Sequence, residues 1–342
     1  MAELADAIDV SRPTLSRFFR DPSTVRPGTA SKIRARLEGV DYVPNFFATR
    51  MNRESTGLVG VVIPSFNDLF YTSLLEAIED CAVARGWTVV TQCSHGSTER
   101  EAHAADRLAS MNVDGAIVAP LGGEESARML RKLSETLPTV VVDARPHGAG
   151  AALDFVGTDN RATVGLMVDY LCRTGEPPVF FAMPQLNSNS REREQAFRAA
   201  MALRQRAAEI VPVDPGVADK HGWDFEAYAL EVMDDHFAHG RLREATILCA
   251  NDRLAIGASR AAQIHGLWAA DQDKGGRLRI AGHDDHPLSR YMSPPLTTVA
   301  QDVGGIAAKS VELLHRRVAG PDGASGFEEH ALLGALRIRQ SA

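Results

Sequence analysis

The strongest constraint on the fold is a regular alternation of short apolar runs with amphipathic segments, which begins at residue 57. Residues 57–64 read Gly-Leu-Val-Gly-Val-Val-Ile-Pro, a β-branched run typical of a buried strand, and residues 71–85 repeat apolar side chains at helical spacing. The alternation continues with predicted strands 87–91, 115–119 and 139–142 and predicted helices 99–110 and 124–136. Apolar strands separated by helices predict a parallel sheet that is covered on both faces.

A second alternation follows Asn160. Its predicted strands are 178–183, 210–212, 245–250 and 278–282, and its predicted helices are 190–206, 224–237 and 253–265. Two parallel, doubly wound sheets in tandem predict two lobes with a cleft between them. Ligands of such sheets bind beyond the carboxyl ends of the strands, so we expect the binding residues in those loops.

Composition narrows the class of protein further. A chain of 342 residues with 44% hydrophobic and 24% charged residues is expected to form two or three globular cores. It has no apolar run long enough to span a membrane, and its first residues do not form a basic segment followed by an apolar one. The four cysteines are far apart and form no Cys-x-x-Cys pair (Cys81, Cys93, Cys172, Cys249). We therefore expect free thiols and a cytoplasmic protein.

Residues 1–54 differ from the rest of the chain in charge. They carry nine Arg and Lys against seven Asp and Glu, a balance of +2, whereas the whole chain has a net charge of −7. The remainder therefore carries −9. A basic end on an acidic body favours a protein whose contact with nucleic acid is confined to that end.

The beginning of the chain predicts two short helices joined by a tight turn. Leu4, Ala5 and Ile8 recur at helical spacing, Asp9 can adopt a left-handed turn conformation, and Ser11 is a suitable N-cap for the second helix. That helix would place Leu15, Phe18 and Phe19 inward and a polar, basic face outward. A helix-turn-helix uses such a face in the major groove, although a hairpin with a solvated basic face fits the spacing equally well. The candidate DNA contacts on this helix are Ser11, Arg12, Pro13, Thr14, Ser16, Arg17 and Arg20.

Two motifs favour the first of these interpretations. Val10-Ser-Arg-Pro-Thr-Leu-Ser-Arg17, followed by Tyr42-Val-Pro-Asn45 and by Ala48-x-x-Met51, closely resembles the DNA-binding head of the LacI/GalR family. The resemblance implies a hinge helix over residues 45–52, with Asn45, Ala48 and Met51 in the minor groove and Met51 as an apolar wedge. A plain linker is the alternative interpretation of Met51. Asp9 stands where the family has a turn glycine.

The body resembles the two-lobed periplasmic sugar-binding fold along nearly its whole length, most clearly at Asn251-Asp-Arg-Leu-Ala255 and Pro294-Pro-Leu-Thr-Thr-Val299. In that architecture the chain crosses between the lobes more than once. The resemblance implies a domain order of 1–44 for the helix-turn-helix, 45–56 for the hinge and linker, and 57–342 for effector binding and dimerisation. It also implies effector contacts from Phe70, Tyr71, Asp143, Arg193, Trp223, Asn251 and Asp284.

Each of these effector contacts has a structural alternative. The carboxylates and Asn251 can serve as helix caps or brace loops, Arg193 can form a surface ion pair, and Trp223 can belong to the core. A cluster of planar polar groups with aromatic walls suits a carbohydrate. Arg193 could also anchor a carboxylate or phosphate, so the charge of the effector stays open at this stage.

Together these observations predict a transcription repressor whose affinity for a near-palindromic operator is controlled by a small-molecule effector. We expect a homodimer, because no heptad tail follows the body. Whether the effector acts as an inducer or as a corepressor stays open. A transport-associated binding protein and a metabolic enzyme are the alternatives. No nucleophile or dinucleotide motif supports an enzyme, and His236-x-x-His239 lacks a third metal ligand. We expect no metal and no cofactor.

Overall fold

The computed structural model describes residues 2–20, 22–40, 55–145, 148, 153–184, 187–268, 278–320 and 326–342. They belong to two compact units, Met1–Leu58 and Val59–Ala342. The predicted hinge helix over residues 45–52 lies outside the described residues. The division into 1–44, 45–56 and 57–342 therefore stays a prediction. In the part of the chain that is described, no helix is both long and apolar enough to cross a membrane.

The described residues of the first unit form three α-helices: α1 (Ala2–Ala7), α2 (Arg12–Arg20) and α3 (Pro27–Leu37). Asp9 lies in the turn between α1 and α2 with φ +47°, the left-handed conformation expected of it. The amide of Thr14 donates to the hydroxyl of Ser11 at 3.4 Å, so Ser11 lies at the start of α2 as predicted. The three helices enclose a small core whose buried members are Leu4, Ala5, Ile8, Leu15, Phe18, Val25, Ala30 and Ile33.

The second unit begins with a six-stranded sheet, in the spatial order β11-β5-β4-β3-β1-β2. Its strands are β1 (Leu58–Ile63), β2 (Thr88–Cys93), β3 (Gly115–Val118), β4 (Thr139–Val142), β5 (Asp154–Thr158) and β11 (Glu329–Leu332). The helices between them are α4 (Leu69–Val83), α5 (Thr98–Ser110) and α6 (Gly123–Ser134). Strands β1 and β3 pair in parallel, as do β3 and β4, β4 and β5, and β5 and β11.

A four-stranded parallel sheet in the order β7-β6-β8-β9 forms the second lobe. Its strands are β6 (Val179–Phe181), β7 (Ile210–Val211), β8 (Thr246–Cys249) and β9 (Arg279–Ala281). The helices are α7 (Asn160–Thr174), α8 (Ser188–Leu203), α9 (Pro215–His221), α10 (Phe225–Ala238) and α11 (Asp252–Ile264). β10 (Thr298–Ala300) pairs antiparallel with β12 (Ala335–Arg337), an addition that the apolar pattern did not predict.

The chain passes between the lobes three times among the described residues. It leaves the first lobe between β5 and α7, and it returns between β10 and α12 (Val303–Val318). Ile306, Val311 and Leu314 of α12 are buried in the first-lobe core, with β1 and α4. The chain crosses a third time between β11 and β12. The predicted fold class, a small helical head followed by a two-lobed α/β domain with parallel sheets, is confirmed, and so are the repeated crossings.

Candidate functional site

A cavity lies between the two lobes of the second unit. All seven residues predicted to contact an effector line it: Phe70, Tyr71, Asp143, Arg193, Trp223, Asn251 and Asp284. Seven further residues complete its wall: Asp68, Met183, Pro184, Asn187, Asn189, Phe225 and Gln301. The structure thus brings the predicted set together, and binding of a ligand by these residues stays a prediction.

Strand ends and helix starts position these side chains, as the parallel-sheet topology requires. Asp68 caps α4 by accepting from the amide of Phe70 at 3.0 Å, which places Phe70 and Tyr71 in the first turn of that helix. Asp143 directly follows β4 and has φ +67°. Asn251 caps α11 by accepting from Leu254 at 2.8 Å, so it is a helix cap and a cavity residue at once.

Arg193 is buried in the cavity wall and is not a surface residue of α8. Its Nη2 lies 2.8 Å from Asp284 Oδ1, its Nη1 donates to the carbonyl of Ala250 at 2.7 Å, and its Nε donates to Asn160 Oδ1 at 3.0 Å. Asp284 also contacts His283 Nδ1 at 2.9 Å and accepts from Gln301 at 2.8 Å. The ion pair is therefore held from both of its sides by neighbouring groups.

These charges determine how the groups around Asp284 titrate. Burial acts to raise the pKa of Asp284, but Arg193 and His283 outweigh it and hold the pKa below the ordinary value of 3.8. Burial lowers the pKa of His283 to about 4, and the nearby Arg193 acts in the same direction. At neutral pH the cavity therefore presents an ionised Asp284 beside an uncharged His283.

Asp143 is the most strongly perturbed acid in the cavity wall. It accepts from the hydroxyl of Tyr71 at 2.9 Å and from the side-chain amide of Asn189 at 3.0 Å. Burial raises its pKa to about 7, although Arg193 acts to lower it. Because Tyr71 and Asn189 belong to different lobes, Asp143 is also a point of contact between the lobes.

A second ion-pair cluster joins the lobes next to the cavity. Arg253 contacts Asp68 of the first lobe at 3.3 Å and Glu226 of the second lobe at 2.5 Å. Its guanidinium also lies over the ring of Phe225, with 5.0 Å between the guanidinium carbon and the ring centroid. Burial raises the pKa of Asp68 to about 6, while Arg253 acts to lower it.

Aromatic rings form the apolar part of the wall. The rings of Phe70 and Tyr71 meet edge to face with 5.1 Å between centroids, and Trp223 and Phe225 lie 5.7 Å apart. Trp223 also packs against the first-lobe core and against Gly96, where a Cβ would collide with the indole ring. A wall of rings and planar polar groups suits a ligand with hydroxyls on its edge and C–H bonds on its face.

Sequence reasoning missed half of the wall. Asp68 gives a recognisable signal, because an Asp before an apolar helix is a typical N-cap. The polar run of residues 187–190, directly after a strand of the second sheet, marks Asn187 and Asn189 in the same way. Gln301 lies in the crossover between β10 and α12 and gives no local signal.

In the head, the residues that α2 exposes form the face that the sequence predicts. Ser11, Arg12, Pro13, Ser16 and Arg17 are exposed, Thr14 is half-buried, and Leu15 and Phe18 are buried. Arg20 is the last residue of α2, and its side chain lies outside the described part of the molecule, as do Asn45, Ala48 and Met51. Contact of these residues with DNA stays a prediction.

No group of three His, Cys, Asp or Glu side chains in the described ranges could hold a metal ion. His239 of the His-x-x-His segment is engaged with Asp235, its Nδ1 lying 3.2 Å from the carboxylate. Cys81, Cys93, Cys172 and Cys249 are free thiols.

The fold is that of a two-lobed α/β unit with a cavity between its lobes, preceded along the chain by a small helical head. The family model described as "Periplasmic binding protein domain" matches residues 59–322. An uncharacterised HTH-type transcriptional regulator of Streptomyces limosus is 28% identical over 93% of this chain and 88% of its own. The ribose operon repressor of Escherichia coli K12 is 24% identical over 94% of this chain and 93% of its own.

Solved structures agree with this fold. The lac repressor dimer bound to operator and the anti-inducer ONPF has a TM-score of 0.81 and 23% sequence identity, covering 99% of this chain and 97% of its own. The chain belongs to the periplasmic binding protein domain family. Its resemblance to LacI/GalR-type transcription regulators is confirmed by these relatives.

Proposed function

We propose that the chain is a homodimeric repressor that binds a near-palindromic operator through its head and senses a small carbohydrate in the interlobe cavity. The observation that carries this proposal is the exposed face of α2, where Arg12, Ser16 and Arg17 project from a helix packed on a small core. Arginine at such a position forms bidentate bonds with guanine, and serine reaches bases or phosphates. The relatives named as repressors support the same function.

The cavity supplies the sensing half of the proposal. It is lined by both lobes, so a bound ligand contacts both and favours the arrangement in which they lie close together. The coupling of two distinct sites in regulators of this kind is worth about 1–3 kcal/mol. We propose for this cavity an effector role without a catalytic step. Operator DNA is the partner of the head, and we propose that the protein acts in the cytoplasm, where that DNA lies.

Selection of genomic DNA fragments by the purified full-length protein at fixed salt tests the operator half. We expect a short palindrome, and recovery of fragments with no shared sequence would contradict the proposal. Arg17→Ala should reduce discrimination between the operator and a scrambled duplex by about 1–3 kcal/mol, because one base contact is lost. Arg107→Ala is the matched control, since Arg107 belongs to α5 of the second unit and bonds with Gln92 at 2.7 Å.

Thermal denaturation with a panel of sugars tests the sensing half, since a ligand that binds the folded state raises the midpoint. Trp223→Ala should remove the midpoint shift while operator binding without sugar stays within threefold of the unsubstituted protein. Loss of both properties together would show that Trp223 maintains the fold and is not a ligand contact.

A further inference from the structure

The charged groups of the cavity restrict the class of its ligand more narrowly than the sequence does. Resting on the proposed effector role of this cavity, we infer that it selects a polyol without negatively charged groups and excludes phosphorylated or carboxylated sugars. The inference depends on two observations: each side-chain nitrogen of Arg193 already has a partner within the protein, and the rest of the charged wall is acidic.

The commitment of Arg193 is geometric. Each of its three side-chain nitrogens already has a protein partner, and the side chain is only 4% exposed. Its carboxylate partner, Asp284, is itself fixed by His283 and by Gln301, so the pair cannot separate without breaking further hydrogen bonds. An oxyanion ligand would have to compete with the ionised Asp284 for the same guanidinium, which weakens the bidentate recognition that makes arginine an anion receptor.

The other charged groups of the wall repel an anion. Among the described lining residues, three carboxylates (Asp68, Asp143, Asp284) face one guanidinium, a formal charge of −2 when all are ionised. Arg253 lies next to the cavity but is shared between Asp68 and Glu226. A phosphate dianion would enter beside buried carboxylates, where a low dielectric strengthens like-charge repulsion.

The remaining polar atoms suit hydroxyl and amine groups instead. Asp143 presents carboxylate oxygens that accept hydrogen bonds, and among the described residues the side-chain amide of Asn251 donates to the thioether of Met183 alone, at 3.6 Å. A hydroxyl group can satisfy both, because it donates and accepts. The rings of Tyr71 and Trp223 cover the apolar face of such a ligand and would attract a protonated amine.

Inorganic phosphate is a direct probe of this selectivity. We expect the thermal midpoint of the unsubstituted protein to be the same in sodium phosphate and in sodium chloride of matched ionic strength. Asp284→Asn removes the negative charge that competes for Nη2 of Arg193 and should create a phosphate-dependent rise of the midpoint. Asp143→Asn replaces another carboxylate of the wall but leaves the Arg193–Asp284 pair intact, so it should show no such rise.

Three results would overturn the inference: a phosphate-specific rise in the unsubstituted protein, no rise in a folded Asp284→Asn variant, or equal rises in both variants. Matched sugars give an independent measurement that needs no variant: D-ribose with D-ribose 5-phosphate, and D-glucose with D-glucose 6-phosphate and D-glucosamine. Any sugar that binds should lose at least about tenfold in affinity on phosphorylation, and a tighter phosphorylated form would refute the exclusion. If no sugar binds, the carbohydrate effector fails, while the phosphate comparison still decides the charge selectivity.

Discussion

Replacing Asp143 with asparagine isolates the electrostatic cost of an ionised carboxylate buried between the lobes. The native pKa of about 7 lies above the ordinary value of 3.8, so the native state binds the proton more tightly than the unfolded state does. The stability contributed by this group is thus fully present at low pH and is lost as the pH rises towards 7. Between pH 5 and pH 8 the change spans about two pKa units at about 1.4 kcal/mol each, or roughly 3 kcal/mol.

Asp143→Asn has no such titration, and the other described carboxyl groups with raised pKa values, Asp68, Glu101 and Asp252, titrate alike in both proteins. The difference in unfolding free energy between variant and unsubstituted protein should therefore shift by roughly 3 kcal/mol in favour of the variant from pH 5 to pH 8. The variant also loses one hydrogen bond, from Tyr71 or Asn189. This loss is the same at pH 5 and at pH 8, so it cancels in the comparison. Urea denaturation followed by tryptophan fluorescence measures it, since all three tryptophans lie in the second unit.

Asp169→Asn is the control for this experiment. Hydrogen bonds from Arg204 and Arg173 hold the pKa of the exposed Asp169 below its ordinary value, so its contribution is constant between pH 5 and pH 8. The difference between this variant and the unsubstituted protein should not vary over that range. If the difference for Asp143→Asn is also independent of pH, burial does not raise the pKa of Asp143 to about 7.

Two further substitutions test the contacts between the lobes. Arg253→Ala leaves the buried Asp68 without its cation and should lower the free energy of unfolding by about 3–5 kcal/mol at pH 8. The loss should be smaller at pH 5, where Asp68 is protonated, and urea denaturation at both pH values measures it. Gly96→Ala should displace Trp223 and change its near-ultraviolet circular dichroism, whereas Gly86→Ala, which also has positive φ but open space around it, should lower stability without that spectral change. Equal spectra for the two glycine variants would contradict the packing of Trp223 on Gly96.

The sequence predicted many of the strands and helices of the two sheets, because local patterns of apolar residues and polar caps mark them. Buried strands such as β1 and β8 are continuous apolar runs, and α5 and α11 begin at polar caps, Ser97 and Asn251. The left-handed turn at Asp9 was predictable for the same reason, since it depends on one residue and its neighbours.

What the sequence could not provide is the pairing between distant segments. Nothing local in α12 indicates that it packs in the first lobe, and β11 alternates half-buried and exposed residues without a strong apolar signal. The side chain of Gln301 contacts both Thr158, the last residue of β5, and Asp284 in the cavity wall. Gln301 and Thr158 are 143 positions apart in the chain. The sequence also left open whether Arg193 can bind an anionic ligand, because its ion pair depends on the position of Asp284 in the fold.

The three crossings also set the order in which the protein can mature on the ribosome. Strand β11 lies at the edge of the first sheet and α12 fills its core, yet both are synthesised after the whole second sheet. The first lobe therefore stays incomplete until α12 and β11 have been synthesised, and its apolar face stays uncovered while residues 160–300 emerge. Exposed apolar surface of this kind is prone to aggregation. The four-stranded sheet of the second lobe should acquire protease resistance before the six-stranded sheet of the first lobe.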